Sequence, residues 1–139
     1  MQPDFSLLAS TWREVSRHLD IEESVQGLFR LFQEHLPLTS LMVRRWEDTR
    51  SRLDTVARAG VFWEMPLRSS APTPRREELL SWVREGRLSF WQSREQTGLA
   101  RFLVPEGWEG PVVAAPLMEN GLVGVLLLGG ELQPFLDQI

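Results

Sequence analysis

The chain contains no cysteine. Thiol catalysis, disulfides, zinc ribbons and iron–sulfur ligation are therefore excluded together. It contains no tyrosine either, although Trp is present six times and Phe seven. Lysine is also missing, so all 15 basic side chains are arginine. A Schiff base or a phosphate-cradling P-loop lysine has no residue to form it. The exclusive use of arginine reads either as selection for bidentate anion contacts or as codon bias. No window approaches the ~20 apolar residues of a membrane span. The N-terminus lacks the basic-then-apolar pattern of a secretory signal. The expectation is a soluble, cytoplasmic domain with no membrane contact. A net charge of −4 and a pI near 5.2 argue against direct nucleic-acid binding.

What is present describes a globular protein. At 139 residues with 42% hydrophobic side chains, one domain over 1–139 is expected, large enough to bury a core without metal or disulfide staples. Apolar residues at Leu8, Trp12, Val15 and Leu19 have helical spacing. Asp20 with Glu23 forms a capping box for a second helix carrying Val25, Leu28, Phe29, Phe32 and Leu36, which Pro37 stops. Strands are expected at Ser40–Glu47 and Leu53–Ala59, antiparallel because the connection is short. Residues 60–74 read as a loop longer than connection requires. Thr73-Pro74 then starts a helix with Leu79, Trp82 and Val83 on its apolar face and Gly86 as its stop. A short strand over Arg87–Ser93 and an irregular segment over 94–110 follow.

The last forty residues are the clearest. Val112–Met118 and Leu122–Leu128 read as strands joined by Asn120-Gly121 in a type I′ turn. The run Val123, Val125, Leu126, Leu127, Leu128 is apolar on both faces, which predicts a central, doubly covered strand. Gly129-Gly130 punctuates it. Leu132, Phe135, Leu136 and Ile139 begin a helix, and its interruption at Ile139 leads to the expectation of a truncated C-terminal helix.

Residues with chemical potential are sparse. His18 and His35 stand on different helices with no metal-ligand spacing. Glu22-Glu23 and Glu77-Glu78 lie in helical first turns, where carboxylates favourably oppose the helix dipole. Ser6, Ser16 and Ser81 lack the surroundings of a nucleophile elbow. The chain is expected not to be an enzyme, and to need no metal or cofactor.

In order and in residues the chain resembles a GAF domain. The likeness rests on Val113-Ala114-Ala115-Pro116-Leu117, Asn120-Gly121 and Gly124-Val125-Leu126-Leu127-Leu128, with support from Leu79-Leu80, Val83 to Arg87, and Arg52-Leu53 to Ala59-Gly60. It spans about residues 5 to 139. The resemblance implies an α/β (α+β) fold: a central antiparallel sheet of five or six strands flanked by helices. Pro116 is expected to end its ladder and Gly124 to permit close packing.

The resemblance further implies a regulatory, small-molecule-sensing domain. Its parent would be a multidomain bacterial signalling protein, first of all a sigma-54-dependent transcriptional regulator, with a downstream output domain. The ligand pocket it implies lies between one sheet face and the segments covering it, and draws on Arg58, Phe62, Trp63, Trp82, Trp91, Phe102 and Ala115. Trp108 lies in the same covering segments, and Arg58, Arg94 and Arg101 are candidates for an anion clamp. Aromatics at these spacings also build cores, and loop arginines are also simply solvated. The resemblance implies a homodimer through the terminal helices; a helix covering its own sheet gives the same stripe. The alternative function is a degenerate domain that binds no ligand and serves dimerisation or protein docking.

Overall fold

The computed structural model describes residues 21–47, 51–60, 76–119 and 122–138. Their elements are α1 (Ile21–Gln33), β1 (Leu38–Glu47), β2 (Arg52–Gly60), α2 (Arg76–Glu85), β3 (Ser89–Trp91), α3 (Gly98–Leu103), β4 (Val112–Glu119), β5 (Leu122–Gly130) and a 3₁₀ helix at Gln133–Gln138. The strands make one antiparallel sheet in the order β2-β1-β5-β4-β3. The expected helix at 8–19, Asp20 of the capping box and most of the 60–74 loop lie outside the described residues.

The run that predicts a central strand is the centre. β5 pairs with β1 on one side and β4 on the other. Leu126 and Leu128 enter the core on the α1 face, while Val125 and Leu127 enter the opposite one. Each such side chain contributes about 1.5–3 kcal/mol through removal from water. The pairing of Glu119 with Leu122 leaves a two-residue connection at Asn120-Gly121; the turn type lies outside the described residues.

On the first face, α1 buries Val25, Leu28 and Phe32 against Leu41, Val43, Ala57 and Ala59. After α1 the chain turns at Glu34–Leu36, with the Leu36 N–H donating to the Phe32 carbonyl at 2.9 Å, and Pro37 precludes further helix. On the second face, α2 contributes Leu79, Trp82 and Val83, and α3 contributes Ala100, Phe102 and Leu103.

Three expectations are corrected. Residues 94–110 contain a helix, α3, capped by Thr97, whose Oγ1 accepts from the Ala100 N–H at 2.9 Å. Six residues are too few to show a period, and the cap was the available signal. Gly129-Gly130 does not interrupt β5: Gly129 pairs with Ser40 and Val112, and a Cβ there would meet Ser40 Oγ and stand 2.9 Å from the Trp108 ring. Pro116 does not end β4, which continues to Glu119. Because β3 pairs only with Val112–Ala114, β4 has one partner strand at Pro116, and a proline is tolerated there. The helical pattern expected from Leu132 onward is present as a 3₁₀ helix over Gln133–Gln138, with Leu132 buried just before it and Phe135 and Leu136 packed on the α1-side core.

Gly124 permits the close approach expected of it: a Cβ would lie 2.5 Å from the Arg44 carbonyl oxygen. On β2, Leu53, Thr55, Ala57 and Ala59 are all buried, in strict alternation, which in a regular strand is one face. The register instead slips between Val43 and Arg44, where Val43 pairs with Ala57 and Arg44 with Thr55. Val56 is thus the extra residue of a bulge. Leu53 therefore packs with α2 and α3, while Ala57 and Ala59 pack under α1.

Candidate functional site

The sheet face under α2 and α3 carries the aromatic residues singled out in the sequence. Trp82 on α2, Trp91 on β3, Phe102 on α3 and Trp108 before β4 share one buried cluster, exposed by only 5%, 6%, 6% and 4%. The Trp82 indole N–H donates to Ser89 Oγ at 2.8 Å, tying α2 to β3. The Trp108 indole points its N–H at the Pro111 carbonyl, 3.4 Å away. These rings fill the face and act there as core.

The other candidates are dispersed. Ala115 belongs to the opposite core, under α1. Arg58 pairs with Met42 and so shares the aromatic face, but it sits on β2, at the far edge of the sheet from β3. Four strand spacings, about 19 Å, separate it from the strand of Trp91. Phe62 and Trp63 lie outside the described residues. The proposed arginine clamp is not assembled. Arg94 Nε donates to the Val104 carbonyl at 3.1 Å and Nη2 to the Arg101 carbonyl at 2.9 Å, so it caps the C-terminus of α3. Arg101 is exposed.

Two features escaped the sequence reading. The first is a groove of 440 Å³ between α2 and α3, lined by Glu77, Glu78, Ser81, Trp82, Glu85 and Leu99. Residues 77/78, 81/82 and 85 recur at helical spacing, so α2 presents them along one side. The expected dipole role of Glu77 and Glu78 is compatible with this place, since both occupy the first turn of α2. Trp82 and Leu99 give the groove its apolar wall, and the three carboxylates make its rim repel anions. The groove is shallow and open to solvent, so it would cover one side of a small molecule rather than enclose it.

The second feature is Arg44, 1% exposed on β1 between β2 and β5. Nη1 donates to the Leu103 carbonyl at 2.9 Å and Nη2 to the Leu53 carbonyl at 2.8 Å. Burial lowers its pKa to about 10; Asp54 opposes the fall and Arg94 adds to it. The guanidinium therefore remains charged at neutral pH. Its signal was visible in Leu41-Met42-Val43-Arg44, where alternation puts Arg44 beside Met42 and Trp46. Among the described residues no group of three or more His, Asp or Glu could hold a metal ion, and no helix is long and apolar enough to cross a membrane.

No protein-family model matches the chain, and no curated protein does. Solved structures do. The GAF domain of an Acinetobacter phosphoenolpyruvate-protein phosphotransferase superposes with a TM-score of 0.53 at 11% identity, over 91% of this chain and 77% of that one. A free methionine-R-sulfoxide reductase from Neisseria meningitidis, solved with its substrate, gives 0.52 at 14% identity over 92% and 76%. The nlh2 GAF domain of A. aeolicus, in an inactive state, gives 0.51 at 14% identity over 96% and 88%. The five-stranded antiparallel sheet, with α1 on one face and α2 and α3 on the other, is the GAF fold.

Proposed function

We propose that this chain is a regulatory sensing domain that takes up a small molecule in the groove between α2 and α3. The observation that carries this reading is the groove itself: 440 Å³, with Trp82 and Leu99 as its apolar wall. The fold adds support, since one solved neighbour holds a small-molecule substrate and two others are GAF domains. The domain is not catalytic in this reading, because neither face gathers an acid, a base and a nucleophile among the described residues. A ligand would act by favouring one of two helix arrangements, and only to the extent of its differential affinity.

The parent in this proposal is a cytoplasmic, multidomain bacterial signalling protein, with a sigma-54-dependent transcriptional regulator as the leading candidate. The basis is the resemblance in arrangement that the sequence carries. Its output domain would be coupled through a homodimer of terminal helices. Thermal-shift screening of a metabolite panel tests the ligand reading. A compound that raises Tm for the native chain and not for Ser81→Trp, which plugs the groove, supports it.

A second reading is favoured by the aromatic packing. With Trp82, Trp91, Phe102 and Trp108 all nearly inaccessible, the sheet face holds its own side chains where a deep ligand would sit. In that case the domain serves dimerisation or protein docking without a ligand. Sedimentation showing a tight dimer, combined with no thermal shift from any compound, selects it.

A further inference from the structure

We infer that Arg44 is a latch that fixes the seat of α3 and couples it to the β1–β2 hairpin. An arginine buried on β1 is costly, because a guanidinium taken out of water loses several kcal/mol of hydration. A Met or Leu would fill the same volume without that loss. What the arginine supplies instead is a planar fork of donors, and the fork is used across the fold. One arm reaches the carbonyl of Leu103, the last residue of α3, and the other reaches the Leu53 carbonyl on β2. The last carbonyls of a helix have no partner within it, and a cation there also meets the negative end of the helix dipole.

The β-bulge serves the same end. It stands at the step from Val43 to Arg44, and bulges re-aim side chains. The Leu53 side chain thereby packs on the α3 side of β2, and the Leu53 carbonyl accepts from the fork. Arg94 holds the neighbouring carbonyls, Arg101 and Val104, from the loop before α3. The two arginines differ in reach. Arg94 closes a local loop, whereas Arg44 links α3 to β1, its own strand, and to β2.

The latch deepens the groove reading, since α3 also supplies Leu99 to the groove wall. A shift of α3 at the groove would reach β2 through the Leu103 carbonyl and the Arg44 fork. The latch itself rests on the hydrogen bonds and stands or falls without any ligand.

Hydrogen exchange on the native chain, Arg44→Met, Arg44→Lys and Arg94→Ala tests it. In Arg44→Met, amides of 98–104 and of 52–56 are expected to exchange at least about tenfold faster, a change of about 1.4 kcal/mol in local opening, while β4 and β5 keep their protection. Arg44→Lys should show the same pattern, because an ammonium on a single stem does not bridge both carbonyls. Arg94→Ala should loosen 94–104 and leave 52–56 unchanged. Unaltered exchange of α3 in Arg44→Met would show that Phe102 and Leu103 hold it alone, and would overturn the inference. Equal loss of protection in every element, or failure of both Arg44 variants to fold, would assign Arg44 to the core at large and overturn it too. None of these outcomes bears on whether a ligand enters the groove.

Discussion

Arg44 is the residue at which composition and structure meet. Burial lowers its pKa to about 10, well below the ordinary arginine value. The unfolded chain therefore binds the proton more tightly than the folded one between those values. Stability contributed by this group rises with pH through that window, by at most about 1.4 kcal/mol per pH unit. In most proteins lysine, tyrosine and cysteine would obscure the effect. This chain has none of them, which removes that background. Denaturant melts at pH 9 and pH 11 should show the native chain gaining stability relative to Arg44→Met. A falling or parallel dependence in the two proteins would contradict the assigned burial cost. Trp82 makes a second residue-level case. Trp82→Phe keeps most of the apolar volume but leaves Ser89 Oγ without its donor, and should lower stability by about 1–3 kcal/mol, read as a lower denaturant midpoint.

Among the elements, the β4–β5 hairpin organises the rest. Gly124→Ala should destabilise by about 1–3 kcal/mol, because the new methyl would lie 2.5 Å from the backbone oxygen of Arg44, which cannot swing aside. Gly27→Ala, on the exposed side of α1 with nothing within 4 Å, should instead stabilise by about 0.4–1 kcal/mol. Chemical denaturation of the two variants checks both signs at once. The hairpin was also the most legible part of the sequence. Asn120-Gly121 and a run apolar on both faces follow from local chemistry, so strand, turn and centrality could all be read. The bulge at Val56 could not, since it is settled by what β1 offers opposite, and the alternation of Leu53 to Ala59 looks perfect without it. α3 was hidden by its length. Of the candidate site, Trp82, Trp91 and Phe102 do come together, because each lies on an element whose apolar side was evident. Ala115 and Arg58 were placed by family likeness, and strand parity and strand order separate them from the rings. The groove needs two elements distant in sequence, α2 and α3, and only the tertiary fold sets them side by side.

At the scale of the whole molecule, a five-stranded sheet covered on both faces leaves its interior filled and its groove at the surface. The aromatic face provides rigidity, and the space between α2 and α3 provides the concavity. If the groove is the point of entry, ligand binding must raise stability by mass action: about 2.7 kcal/mol for a compound at a hundred times its Kd, several degrees in Tm for a domain of this size. Dimerisation through the terminal helices predicts a sedimentation coefficient that rises with concentration and falls when those helices are removed. The most direct measurement is the thermal-shift comparison of the native chain with Ser81→Trp across one metabolite panel. The groove reading predicts at least one compound that raises Tm for the native chain and leaves Ser81→Trp unmoved. No shift from any compound, or an equal shift in both proteins, would contradict it.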